Sequence, residues 1–191
     1  MKYNILKEEI AYNGFLKIRK GVVQHDSFFK SAPIVIEREF ITKQDAVAIL
    51  IYEKDTQSIL LVKQFRYPTT QHNLGWLLEI PAGMMETNEG AVTCAIREVK
   101  EELGYDISSL EKVSTFYTSP GCISERINLF YAEVTTENKT ARGGGLAEEK
   151  EDIELIKLSL ETLQSSIENG AIQDAKSLIG IQWFLLNRKS F

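Results

Sequence analysis

Residues 46–65 read AVAILIYEKDTQSILLVKQF, two apolar runs of strand length with the polar turn EKDTQ between them. Runs of this kind are strands, and WLLEIP at 76–81 is a third. They commit the chain to a fold built on a sheet. IVIEREF at 34–40 alternates apolar and charged residues, as a half-buried strand does. Ahead of it, 3–10 and 14–24 read as two short strands joined at Asn13-Gly14, a hairpin-type pair. Pro68 and the polar stretch 69–73 make a loop.

The period then changes. Val92, Ala95, Ile96, Val99 and Leu103 follow helical spacing over 89–103, with Asn88 as the expected N-cap and Gly104 as the stop. Strands return at 111–117 and 126–134. The stretch 138–152 (NKTARGGGLAEEKED) is polar and glycine-rich and reads as a long mobile loop. IELIKL at 153–158 is a last strand, and 158–169 and 174–186 are two C-terminal helices. Mixed strands with a few helices imply an α+β fold, a sheet sandwiched between helices.

The chain has 191 residues, enough for one domain with a small appendage in its first part. The net charge of −5 argues against general nucleic-acid binding, which needs a basic surface. An acidic protein acting on a phosphate compound would need local arginines or a metal cation. Cys94 and Cys122 form no disulfide framework or zinc pattern, and Cys94 reads as a small core residue. The N-terminus has no apolar signal region and no run is long enough to span a membrane, so the expected location is the cytoplasm.

REVKEE at 97–102 gathers three glutamates. On a helix, Glu98 and Glu102 fall one turn apart beside the apolar arc, and Glu101 lies on their outer side. The bland reading is a solvated acidic face. Against it, the carboxylates sit too near the apolar edge, and no lysine stands four residues after Glu98 or Glu101. Carboxylates so placed suit a hard divalent cation such as Mg²⁺.

Spacing extends the pattern. Gly83 precedes Glu89, Arg97, Glu98, Glu101, Glu102, Gly104 and the bulky Tyr105 at the fixed positions of the Nudix box, and the chain resembles the Nudix hydrolase family there. The resemblance implies a mixed α/β/α sandwich, with a box at 83–105 inside a hydrolase domain at 41–191. It also implies that Glu98, Glu101 and Glu102, with the Ala82 carbonyl, bind Mg²⁺ (or Mn²⁺). Arg97 would pair with Glu89 and orient the glutamates, while Gly83 would allow a tight turn. The reaction implied is hydrolysis of a nucleoside diphosphate linked to another group.

QFRYP (64–68), LLEIPAGMME (77–86) and SPG (119–121) resemble the ADP-ribose and nucleoside-diphosphate-sugar pyrophosphatase branch. That likeness implies a catalytic glutamate on the 143–152 loop, with Glu149 or Glu151 favoured over Glu148. It makes Arg66, Glu125, Arg38, Glu79 and Pro120 substrate-binding candidates. Each has a plainer reading: Arg66 as a surface cation, Glu125 as an ion pair with Arg126. Phe28 and Phe29 could stack on a base or simply pack. Residues 1–40 would form a small β-sheet domain used for homodimerisation. ADP-ribose, cleaved to AMP and ribose 5-phosphate, is preferred over GDP-mannose, and the IQDAKS segment at 172–177 does not separate the two. A nucleotide-sensing domain that does not cleave is the alternative from another class, and a cleaner of oxidised triphosphates is a third.

Overall fold

A computed structural model describes residues 1–72 and 75–188. Asn73, the end of the expected 69–73 loop, lies outside the described residues. The chain divides into two compact units, Met1–Gln44 with Tyr117–Arg126, and Asp45–Phe116 with Ile127–Phe191.

The first unit carries β1 (Tyr3–Asn13), β2 (Lys17–His25) and β3 (Ile34–Thr42). They form an antiparallel sheet in the order β1-β2-β3. Every residue of β1 is exposed, including Tyr3, Ile5, Leu6, Ile10 and Tyr12.

The second unit is built on β4 (Ala46–Glu53), whose apolar run is almost wholly buried. Its residues alternate between two cores. Val47, Ile49 and Ile51 face one cluster, and Ala48 and Leu50 face the other. That is why the strand reads as a continuous apolar run and not as an alternating one. Beside it stand β5 (Ser58–Phe65), β9 (Arg126–Val134), β8 (Glu111–Tyr117) and β10 (Glu154–Ser159). The order is β10-β5-β4-β9-β8, with β4 and β9 parallel and β5 antiparallel to both β4 and β10. Two short strands complete the sheet, β6 (Trp76–Glu79) on β5 and β7 (Ala82–Met84) on β4.

Helix α1 (Ala91–Glu98) covers the first core with Cys94, Ala95 and Val99. Helices α2 (Leu160–Glu168) and α3 (Ala175–Asn187) cover the second with Leu163, Ile181 and Phe184. The result is the expected α+β arrangement, a mixed sheet between helical layers, with a small antiparallel sheet at the N-terminus.

Details differ from the sequence reading. The N-cap of α1 is Gly90, not Asn88, which adopts φ 67°. Asn88 instead belongs to the turn that carries Glu89 toward the helix. Val99–Leu103 continues α1 as a π-turn and ends, as expected, at Gly104 in the left-handed region. Tyr67–Gln71, expected as plain loop, is a 3₁₀ turn begun by Pro68.

Candidate active site

The site grows from the way β7 and α1 face each other. Gly83 pairs with Val47 in the sheet, and a Cβ there would collide with the Glu98 carboxyl. Only glycine lets the strand approach the helix so closely. The next residue back, Ala82, donates its N–H to Glu102 Oε2 at 3.2 Å. The strand therefore touches both box carboxylates that face inward.

Arg97 organises the outer side. Its Nε and Nη2 reach the two Glu89 oxygens at 3.0 and 3.1 Å, a bidentate pair. Its Nη1 lies 2.8 Å from Glu98 and 2.9 Å from Glu101. Glu89 also accepts the Glu86 N–H at 2.9 Å. The Arg97 hydrogen bond and that backbone bond hold the Glu89 carboxyl down to about 2. Arginine and Glu89 thus tie the loop before the helix to its middle turn.

Glu98 and Glu102 behave differently. Burial pushes Glu98 up to about 7, against the opposing Arg97 charge. Burial pushes Glu102 up to about 8, with the Glu98 charge adding to it and the Ala82 N–H only partly offsetting it. Two buried carboxylates with raised pKa values, the charge of Glu98 pushing up Glu102 and that of Glu151 pushing up both, form a donor set suited to a hard divalent cation. The residues fit such an ion. Among the described residues no three acidic, histidine or cysteine side chains converge as a finished cage. Glu98 Oε1 and Glu101 Oε2 both lie on Arg97, so oxygens of substrate and water would complete the shell of an ion held by Glu102 and the other Glu98 oxygen.

The glycine-rich stretch does not behave as the free loop its composition suggests. Gly144 N–H donates to the Glu102 carbonyl at 2.8 Å, and Gly145 N–H to the Glu101 carbonyl at 3.0 Å. Thr140 and Ala141 N–H groups both reach the Gly104 carbonyl. These bonds satisfy the carbonyls left open at the end of the π-turn. They require three successive residues at positive φ, Gly143, Gly144 and Gly145, which explains the GGG run. The same loop bounds a cavity of about 290 Å³ together with Glu151. Glu151 accepts the Leu146 N–H at 3.0 Å, and its charge adds to the upward push on both Glu98 and Glu102. Glu148 and Glu149 lie in a 3₁₀ turn, Ala147–Glu149, exposed to solvent. Neither is among the main causes of the shifts at Glu98 and Glu102.

Arg66 and Glu79 are paired. Arg66 Nε and Nη2 donate to the two Glu79 oxygens at 2.9 and 3.0 Å. Lys176 Nζ donates to Glu79 Oε2 at 2.6 Å. Burial pushes the Glu79 carboxyl up, but the Arg66 bond and the two positive charges outweigh it and leave it below its usual range. Arg66 also feels the Glu102 charge.

The remaining candidates belong to the first unit. Glu125 pairs with Lys43 at 2.9 Å and accepts from Thr118 at 3.4 Å; Lys43 takes the role foreseen for Arg126. Arg38 donates to its neighbour's carbonyl, Glu37 O, at 2.9 Å. Pro120 is exposed in the turn closed by the Cys122 and Ile123 N–H groups on the Ser119 carbonyl. Phe28 and Phe29 are exposed, with ring centroids 6.3 Å apart.

A family model described as NUDIX domain matches residues 42–178. The chain belongs to the Nudix family. It is an enzyme of the hydrolase kind. A protein of Haemophilus influenzae named ADP-ribose pyrophosphatase is 36% identical over 188 residues, covering 96% of this chain and 86% of that protein. A protein of Cronobacter sakazakii named GDP-mannose pyrophosphatase is 31% identical over 185 residues, covering 95% of this chain and 94% of that one. A solved structure described as an ADP compounds hydrolase superposes with a TM-score of 0.77 over 100% of this chain and 98% of its own. Its identity is 18%, so it speaks to the Nudix fold alone.

Within this Nudix chain, sequence reasoning missed Asp174, Lys176 and Ser177. Asp174 caps α3 through the Ser177 N–H, a cap-and-third-residue pattern that the sequence does display. The bond from Lys176 to Glu79 had no local signal, because the two are far apart in the chain.

Proposed function

We propose that this chain hydrolyses the diphosphate of ADP-ribose, with Mg²⁺, to AMP and ribose 5-phosphate. The observation that carries the reading is the pair of buried carboxylates, Glu98 and Glu102, both within electrostatic reach of Glu151, with Arg97 beside Glu98 and Arg66 acting on Glu102. The first-named relative, an ADP-ribose pyrophosphatase, supports the choice of substrate.

Glu98 and Glu102 would hold the cation, with Glu101 and the Ala82 carbonyl as the further candidate ligands. The cation, when bound, neutralises the diphosphate and makes water more acidic. Arg97 and Glu89 fix the carboxylates. Glu151, held by the Leu146 N–H, takes the proton of the attacking water at its free carboxylate oxygen. It is preferred over Glu149 because its charge reaches the box. Arg66 offers its guanidinium to the diphosphate oxygens, and Glu125, Arg38 and Pro120 are the candidates for base and sugar. The exposed β1 surface supports a homodimer formed through the N-terminal sheet.

The test is a hydrolysis panel with Mg²⁺ against ADP-ribose, GDP-mannose, UDP-glucose, diadenosine polyphosphates and dNTPs. AMP and ribose 5-phosphate as the fastest products support the proposal. Faster release of GMP from GDP-mannose would reassign the substrate, the outcome favoured by the relative named for that activity. Binding of ADP-ribose without turnover, in Mg²⁺ and Mn²⁺ alike, would make the chain a sensor.

A further inference from the structure

The IQDAKS segment finds its place at the first turn of α3. Asp174 Oδ2 accepts the Ser177 N–H at 3.0 Å and the Ser177 hydroxyl at 2.5 Å. The Ser177 hydroxyl oxygen accepts the Ile80 N–H at 2.8 Å. Asp174 Oδ1 lies 3.0 Å from Lys176 Nζ, which in turn holds Glu79. One helical turn therefore grips two consecutive residues of the chain, the side chain of Glu79 and the backbone of Ile80. The next residues are Pro81, Ala82 and Gly83, the last two of which meet the box carboxylates.

Glu79 is buried and cannot serve as an open substrate contact. Both of its oxygens are engaged by cations. Arg66 spends Nε and Nη2 on it, and among the described residues Nη1 has no protein partner. The Arg66 side chain keeps about 42% of its surface open, whereas Lys176 keeps 13%. A buried carboxylate with a single counter-charge would hold that charge tightly. Arg66 and Lys176 together balance Glu79 and Asp174, two positive charges against two negative, so without Lys176 the cluster beside the open edge of Arg66 would carry net negative charge.

We propose that Lys176, acting through Glu79, is a positioning residue that keeps Arg66 both fixed and electropositive for the anionic oxygens of the substrate. This rests on the reading above that Arg66 meets the diphosphate. Asp174 and Ser177 hold Lys176 and the strand in register, so the C-terminal helix sets the substrate side of the site as well as closing the second core. Neither Lys176 nor Glu79 touches the reacting atoms.

The experiment compares Lys176→Gln, Lys176→Met and Lys176→Arg with the native chain, each alone and in an Arg66→Ala background. Lys176→Gln keeps a hydrogen-bond donor for Glu79 and removes only the charge, which guards against loss of the fold in Lys176→Met. With ADP-ribose and saturating Mg²⁺, Lys176→Gln should raise KM about tenfold while kcat stays within about twofold. Mn²⁺ affinity, read by titration without substrate, should not move. Lys176→Arg should restore KM. In the Arg66→Ala background Lys176→Gln should add less than about twofold, because its route to the substrate is gone. An unmoved KM in Lys176→Gln, or a full tenfold effect that persists without Arg66, would overturn the proposal and leave the role of Arg66 standing. If Arg66→Ala alone leaves KM unchanged, the diphosphate reading of Arg66 fails and takes this inference with it.

Discussion

Glu102 is a buried carboxylate, a cost to the fold that the proposed metal site would offset. Its carboxyl is pushed up to about 8 by burial and by the Glu98 charge. Replacing it with glutamine removes the buried charge and leaves the size of the side chain. Glu102→Gln should lower kcat by at least about a hundredfold with Mg²⁺ while the metal-free protein melts no lower at pH 8. Steady-state kinetics and thermal unfolding in chelator check the two halves. The sign of the pH dependence follows from the same shift. A carboxyl whose folded pKa is raised contributes stability that is present below its unfolded value and lost as pH rises through the folded one. With Glu98 at about 7 and Glu102 at about 8, the chelated protein should lose melting temperature between pH 5 and pH 8. Added Mg²⁺ should reverse the loss at pH 8, because the ion favours the ionised carboxylates. A flat profile in chelator would contradict the burial of this pair. Arg97 is the counterpart at the same scale: the Glu89 hydrogen bond raises its pKa further, so it stays charged at any working pH.

Among the elements, the glycine-rich loop and the π-turn of Val99–Leu103 act as one. The loop donates backbone N–H groups to the carbonyls of Glu101 and Glu102, and carries Glu151 on its far side. A Cβ on Gly143 would meet backbone atoms of Glu102 and Leu103 at 2.6–2.7 Å, at φ 72°. Backbone cannot move aside as a side-chain tip can. Gly143→Ala should therefore cost about 1–3 kcal/mol of stability and weaken Mn²⁺ binding by about tenfold. Chemical denaturation and a Mn²⁺ titration measure these, and unchanged metal affinity would show the loop to be uncoupled from the helix. The apolar period announced α1, and Gly104 announced its end. The docking of GGG was not legible, because hydrogen bonds between segments so distant in sequence leave no periodic trace. A polar, glycine-rich composition describes a free loop and a backbone clamp equally well.

For the molecule as a whole, β1 is the feature that asks for a partner. Its residues are exposed along the full strand, and it stands at the edge of its sheet with large apolar side chains open to water. An edge of that kind invites pairing. The native chain should run as a dimer by size exclusion with light scattering, and Ile5→Lys with Ile10→Lys should give the monomer mass. Both positions are more than half exposed, so the variant should keep its melting temperature to within a few degrees. A monomer in the native chain would remove the dimer from the account. Among the described residues no helix is long and apolar enough to cross a membrane.

By itself the sequence determined the order of the longer elements, though not the short strand β7, together with the central apolar strands, the glutamate helix and the set of box residues. All of these follow from local period or fixed spacing. The carboxylates of Glu98 and Glu102 could be placed at the edge of the core from helical phase alone. Their depth was another matter, as was the turning of Glu101 toward Arg97, the reach of the Glu151 charge to both box carboxylates, and the sharing of Glu79 between Arg66 and Lys176. Only the tertiary structure decided these. Burial, electrostatic reach and a bond across the sheet depend on where distant segments meet, and a one-dimensional pattern holds no measure of that distance.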